Sequence, residues 1–250
     1  MFRLLPISVR RTIRLRAWRR LNLRWTLASG IIIEITCPAD WEIYNEIFVE
    51  GEYDSAVVQA LKMAGPKPLT VLDLGCNFGF FCFRVLHLAN VLGVSLHDAE
   101  FTMVDGSQRV LDELRQRESY QVLTKHNANI IHGLLGSRTG SAMIYESDFH
   151  AYNSIIDRRG TGSVAPFVDL EQRFADCNRI DLMKCDIQGA EQQFLGNHPL
   201  LLRKTSIAVL ELHHFLCNTT QCIRILTESG FSKITTLRHN EAVSVVQCER

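Results

Sequence analysis

The stretch VLDLGCNFGFF, Val71–Phe81, decides how the rest of the chain is read. An apolar run carrying one acid, Asp73, gives way to Gly75, Cys76 and Asn77, then to Gly79 and two aromatics. Apolar residues that stop at small ones, with a longer apolar segment behind them, spell a buried strand turning directly into a helix. Gly75 and Gly79 leave the main chain bare at that turn, so a ligand can come close to it.

Strand and helix signals alternate outward from this turn. Upstream, residues 31–35 (IIIEI) read as a short strand, and Ser55–Ala64 as a helix that stops at GPKP. Downstream, strands are expected at 100–107, 128–136, 180–187 and 206–214, with a short extra one at 140–147. Helices are expected at 79–92, 107–118, 192–204 and 219–230. Residues 148–166 show no period and read as a loop, and 167–177 as an edge segment or helix. Residues 231–240 and 241–250 read as a closing antiparallel pair. Strands separated by helices of this length predict an α/β fold, a mostly parallel doubly wound sheet with a C-terminal antiparallel hairpin. Ligands of such sheets bind past the carboxyl ends of the strands, where the strand order reverses.

The 250 residues, 46% hydrophobic and 22% charged, can bury a full core and carry no disorder signature. Eight cysteines occur without a CxxC pair, so their spacing does not read as zinc. Asp186, Glu191, Glu211 and His213 include metal-ligand types, but no tight spacing joins them, and no required metal is expected. Scattered apolar-run thiols suit a reducing compartment, and a cytoplasmic location is expected. Net charge is zero but uneven. Residues 1–33 hold eight arginines and no acid, while the other 19 basic residues face all 27 acids. Three regions follow: a basic amphipathic helix segment at 1–33, a strand and helix lead-in at 34–66, and the main domain at 67–250. The basic segment has the composition of a weak membrane-surface contact, with a faint likeness to a mitochondrial presequence. No continuous apolar core follows its charges, and no window approaches the ~18 apolar residues of a membrane span.

The acid before the glycines bears on the ligand. A pyrophosphate favours an uncompensated positive helix end, and Asp73 opposes that. Only two glycines are present, spaced GxxxG rather than GxGxxG, so a nicotinamide cofactor is disfavoured. S-adenosylmethionine, which carries an ammonium, a sulfonium and an adenosine but no phosphate, fits better. Asp105, closing the next strand in TMVDGS, can accept hydrogen bonds from a ribose diol.

At this point the chain resembles a known family. VLDLGCNFGFFCF, GLLGSRTGSAMIY, IDLMKCDIQGAEQQFL and SIAVLELHH, in that order, resemble the FkbM-type methyltransferases over roughly Asp40 to the end. That family shows an Asp-x-Gly-x-Asn-x-Gly turn, a Lys-x-Asp-x-Glu-Gly-x-Glu segment and a strand ending in Glu-x-His. The resemblance implies a class I, Rossmann-like methyltransferase fold and S-adenosylmethionine as cofactor. It implies methyl transfer to a hydroxyl of a sugar, polyketide or similar small molecule. It places Asp73, Gly75, Asn77, Gly79 and Asp105 at the cofactor. Gln188 stands where the family often has Glu, and Asp105-Gly106 where it often has Glu-Pro.

Transfer to a hydroxyl needs a group to take its proton. KCDIQGAE sets Asp186 at a strand end, lets the chain turn at Gly189 and puts Glu191 at a helix start, where the dipole favours a carboxylate. Glu211 and His213, two apart, share one face of the next strand. Asp186, Glu191 and His213 are the candidate catalytic residues, and Glu211 a candidate substrate contact. Each has a plainer role available, as a helix cap, a dipole partner or a satisfied strand-end pair. Lys184 within its strand calls for a carboxylate partner. Asn153 and Ser154, in a loop that also carries His150 and Tyr152, have the composition of a substrate lid. Tyr53 is placed to close over the cofactor.

The leading expectation is therefore a small-molecule O-methyltransferase. A nucleic-acid methyltransferase guided by the Arg-rich start is the first alternative, weakened by an acidic body and few aromatics. A non-catalytic cofactor-binding module tethered by its basic helix is the second. Nucleic acid is not an expected partner, and the sequence leaves the acceptor and the oligomeric state open.

Overall fold

A computed structural model describes residues 13, 16–18, 20–21, 23–65, 67–147, 153–156 and 161–250. Strands β1 (Leu23–Thr26) and β2 (Ile32–Ile35) form a small antiparallel pair. The basic amphipathic helix expected at the start of the chain does not reach its last residues, because Leu23–Thr26 are spent on this pairing. The described residues among 13–21 are helical, and the rest of that Arg-rich segment lies outside the described residues. Next come α1 (Pro38–Tyr44), a π-helical turn at Asn45–Val49, and α2 (Asp54–Ala64).

The main sheet opens with β3 (Thr70–Leu74), followed by α3 (Phe80–Leu92), β4 (Glu100–Asp105), α4 (Gln108–Gln116), α5 (Tyr120–Lys125) and β5 (Asn129–His132). A second pair, β6 (Ser141–Glu146) and β7 (Thr161–Pro166), interrupts it. The chain returns through α6 (Leu170–Arg173) to β8 (Ile180–Cys185), α7 (Glu191–Asn197), α8 (Pro199–Lys204), β9 (Thr205–His213) and α9 (Thr219–Glu228). It closes with β10 (Lys233–His239) and β11 (Val243–Glu249). The strand order is β10-β11-β9-β8-β3-β4-β5. Six of the seven strands run in one direction, and β11 alone is antiparallel to both its neighbours. The order reverses between β3 and β8, which puts the switch point at Gly75 and Asp186.

The residues explain the elements. All six positions of β8 (IDLMKC) are buried, as a strand covered on both faces requires. Along β3, Val71 joins the core on one face of the sheet, and Leu72 and Leu74 that on the other. In α4, Val110, Leu111 and Leu114 form the buried stripe, and Ser107 caps its start by accepting the Val110 amide at 3.2 Å. Pro199 divides the helix expected over 192–204, because proline has no amide to continue it but suits a first helical position. The loop expected over 148–166 is corrected at its end. TGSVAP has weak strand propensity, yet it pairs along its whole length with β6. Leu134 and Pro166 tie this hairpin to the end of β5 (Leu134 amide to Pro166 carbonyl, 2.8 Å), so it overhangs the carboxyl edge of the sheet.

The lead-in is not a separate layer. Ile33, Ile35, Tyr44 and Ile47 share one core with Phe80, Phe81 and Phe83. A buried ion pair pins it. The Arg117 guanidinium lies 3.0 Å from Asp40, donates to the Glu34 carbonyl at 2.9 Å, and stacks 3.5 Å over the Phe78 ring. Asp40 is fully buried. Asp40→Asn is expected to cost about 3 kcal/mol, because it removes the nearest carboxylate of a buried guanidinium and leaves it only Glu113, at 3.7 Å. A melting curve checks this, and an unchanged melting temperature would show that the clamp does not anchor the lead-in. Among the described residues, no helix is long and apolar enough to cross a membrane.

Candidate active site at the switch point

The carboxyl ends of β3, β4, β8 and β9 surround a cavity of about 290 Å³, near the lower end for small-molecule sites. The turn after β3 forms one wall. Gly75 adopts φ 74°, and a Cβ there would sit 1.8 Å from the Asp186 carbonyl oxygen. No side chain fits between the two strand ends. The amides of Gly75 and Cys76 both donate to the Val104 carbonyl, at 2.9 and 3.0 Å, and the Gly79 amide to Cys76 at 2.8 Å. The Asn77 amide donates to Asp105 Oδ2 at 2.9 Å. The turn therefore offers a ligand its bare surface but none of these four N–H groups, an arrangement unlike a phosphate cradle.

Asp105 ends β4 and lines the cavity. One carboxylate oxygen accepts the Asn77 amide and the other the Ser107 amide at 2.8 Å. Asp73 and Gly79, expected at the cofactor, are not part of the cavity wall. Asp73 is fully buried beneath it, and burial raises its pKa while Lys184 opposes that shift. Lys184 does reach the wall. Its ammonium donates to the Gly75 carbonyl at 2.7 Å and lies 3.5 Å from Asp73 and 3.8 Å from Asp186. The buried lysine thus has its carboxylate partner and also locks the Gly75 turn to β8.

The segment after β8 forms the floor. Asp186 is partly exposed to the cavity and accepts from the Gln188 side chain at 2.9 Å. A glutamate at 188 would set a second carboxylate against Asp186, whereas the amide donates to it. Gly189, at φ 100°, packs under Leu216, where a Cβ would come within 2.4 Å. Glu191 has no exposed surface and is absent from the wall. Its Oε1 accepts the amides of Ile187 (3.2 Å) and Gly189 (3.0 Å) and holds His213 Nδ1 at 3.0 Å. The catalytic role expected of Glu191 is corrected on this geometry: it reaches the cavity only through His213. Burial opposes the charged form of His213, but the hydrogen bond and charge of Glu191, with Asp186 and Glu211, raise it to about 9.

Glu211 and His213 lie on one face of β9, and both line the cavity. The buried Tyr53 hydroxyl donates to Glu211 Oε1, so Tyr53 braces the floor rather than swinging over a ligand. Burial and Asp186 push Glu211 up to about 7. Asp186, Glu211 and His213 bring one ligand atom each to within 4.8 Å of the others. The expectation against a metal rested on their spacing in the sequence, which cannot show this grouping because the three come from two strand ends; Glu191, the fourth ligand type in that expectation, is not part of it. In the overhanging hairpin, Asn153 lines the cavity and accepts the Ser147 amide at 2.8 Å. Ser154 is buried behind it and donates to the Gln188 carbonyl at 2.6 Å. His150 and Tyr152 lie outside the described residues.

Sequence reasoning missed an ion network at the cavity rim. Arg238 of β10 lies 3.0 Å from Glu46, 2.5 Å from Glu52 and 3.8 Å from Glu211. Burial and Glu211 push Glu52 up to about 8 against Arg238. Only the acid-rich run NEIFVEGE, 45–52, hinted at a functional charge cluster there.

No family model matches the chain, and no curated protein matches its sequence. Solved structures do. Magnesium protoporphyrin IX methyltransferase (ChlM) from Synechocystis PCC 6803 with bound SAM matches at 13% identity and TM-score 0.47, covering 96% of each chain. Precorrin-6y C5,15-methyltransferase from Geobacter metallireducens GS-15 matches at 9% identity and TM-score 0.43, covering 78% of this chain and 88% of that one. Ribosomal protein L11 methylase from Lactobacillus delbrueckii subsp. bulgaricus matches at 13% identity and TM-score 0.44, covering 80% and 79%. All three names denote methyltransferases, of unlike substrates. At these scores the likeness carries nothing about substrate or mechanism. The strand order itself, a parallel sheet closed by an inserted antiparallel last strand, is Rossmann-like and of the methyltransferase type.

Proposed function

We propose that this protein is an S-adenosylmethionine-dependent methyltransferase of the FkbM type that methylates a hydroxyl of a small molecule, a sugar or polyketide among the candidates. The observation that carries this reading is the convergence of Gly75, Asp105 and Asp186 on one switch-point cavity. The residues fit the cofactor on three counts: a turn without room for a Cβ, a diol-accepting carboxylate at the second strand end, and committed amides that disfavour a pyrophosphate. The wall's acids Glu42, Glu46, Asp105, Asp186 and Glu211 outnumber its basic groups Lys184, His213 and Arg238, which suits a cationic ligand.

When bound, the cofactor supplies an electrophilic methyl on a positively charged sulfur. The protein's part is to orient the acceptor oxygen on the methyl axis and exclude water. Asp105 holds the ribose hydroxyls, and the Lys184 bond to the Gly75 carbonyl keeps the turn in place. Asp186, partly open to the cavity, takes the proton that the acceptor hydroxyl sheds. Glu191 positions His213, whose ring with Glu211 bounds the acceptor side. Asn153, on the overhanging hairpin, contacts the acceptor from above.

Titration calorimetry tests the cofactor before any acceptor is known. S-adenosylhomocysteine is expected to bind and NAD not. Asp105→Ala is expected to weaken that binding by about 1–3 kcal/mol, the cost of unpaired buried hydroxyls. Tight NAD binding without a response to S-adenosylhomocysteine would overturn the assignment. Mass spectrometry of metabolite extracts incubated with protein and cofactor, read for the gain of one methyl group, then identifies the acceptor.

A further inference from the structure

Asp186, Glu211 and His213 all line the cavity, each with a ligand atom within 4.8 Å of the other two. We propose that these three side chains form a binding site for a divalent first-row cation of the Mn2+ type. They are carried by rigid elements: Asp186 follows β8, and Glu211 and His213 share one face of β9. Two carboxylates and one imidazole suit such an ion and leave coordination positions open for water or a substrate oxygen.

The packing behind these ligands supports the site. Glu191, without exposed surface, holds His213 Nδ1 at 3.0 Å and turns Nε2 toward the carboxylates. A carboxylate behind a histidine is the usual support of a metal-bound imidazole. His213 Nε2 lies 3.9 Å from Asp186 Oδ1, too far for a hydrogen bond but within the ~4.2 Å that two ~2.1 Å metal bonds span. Glu211, 8% exposed, gives one oxygen to Tyr53. Its other oxygen is 3.8 Å from Arg238, beyond hydrogen-bond reach, and is left for the cavity. Lys184 spends its short bond on the Gly75 carbonyl and stays 3.8 Å from Asp186. The carboxylates therefore converge without a cation in close contact with Asp186 or with the second oxygen of Glu211. An ion here would bind the acceptor oxygen and ease loss of its proton, using one Asp186 oxygen and leaving the other to take that proton.

The inference shares its cavity with the methyltransferase reading but is tested apart from it. Mn2+ is titrated into the full chain without cofactor and followed by electron paramagnetic resonance. One bound ion per chain is expected, with nitrogen modulation of its spin echo from His213. Asp186→Asn and Glu211→Gln should each weaken binding at least about tenfold, and Glu191→Gln by about 10–100-fold. Melting curves confirm that the variants fold, and the nitrogen signal of the unaltered protein needs no variant. Absence of a bound ion at millimolar Mn2+, a bound ion without nitrogen modulation, or unchanged affinity in folded Asp186→Asn would each overturn the site. S-adenosylhomocysteine calorimetry on the same preparations keeps the two readings separate, since a chain that binds that ligand but fails to bind Mn2+ loses the metal site alone.

Discussion

Gly75→Ala is expected to abolish the stable fold, at a cost above about 4 kcal/mol. Two effects add at this position. The backbone is left-handed, at φ 74°, which costs a residue with a Cβ about 1–2 kcal/mol. The new methyl would also stand 1.8 Å from the Asp186 carbonyl oxygen, a main-chain atom held by the β3–β8 pairing. Relief requires parting the two central strands at the switch point. Gly93 separates the effects, because it is also left-handed, at φ 67°, yet a Cβ there meets nothing within 4 Å. Gly93→Ala should lower the melting temperature modestly, while Gly75→Ala should yield little soluble protein and no cooperative melt. Equal behaviour of the two would mean that the strand ends are not in contact.

Asp186→Asn is expected to lower turnover by about 10²–10⁴-fold, the span that removal of a general base produces. Folding should be kept. The asparagine oxygen can still accept from the Gln188 amide, and the backbone bond from the 186 amide to the Leu74 carbonyl at 3.0 Å is untouched. Affinity for S-adenosylhomocysteine should stay within about threefold, a difference below 1 kcal/mol. Release of S-adenosylhomocysteine in an extract that supports turnover is the measurement. Normal turnover in the folded variant would move the proton acceptor elsewhere in the cavity. A lower melting temperature with normal specific activity would reduce Asp186 to a strand-end brace.

The central architecture was legible because it is written in local patterns. VLDLGC and IDLMKC are short apolar runs that stop at turn residues, and α4 repeats its apolar residues at helical spacing. What was illegible depends on pairing at long range. TGSVAP becomes a strand only because β6 offers it a partner, and Leu23–Thr26 only because β2 does. Glu191 looks like an ordinary first-turn acid until His213, 22 positions on, supplies its partner. Asp73 stands at a strand end as a ligand-binding acid would, yet the pleat sends it inward to Lys184. Arg238 carries no local mark at all. Its role comes from reaching Glu46 and Glu52 across 192 and 186 positions of chain.

The placement of β11 has a consequence for the incomplete chain. Every other strand of the main sheet precedes β11 in the chain, yet β11 lies between β9 and β10 rather than outside them. Until it docks, β9 presents an open edge where seven residue pairs will later form, a template for unwanted pairing during synthesis. Arg238 also arrives with this late hairpin, so the acids it serves stay uncompensated in any earlier intermediate. A chain with β11 undocked therefore exposes a sticky edge and leaves the rim acids without Arg238.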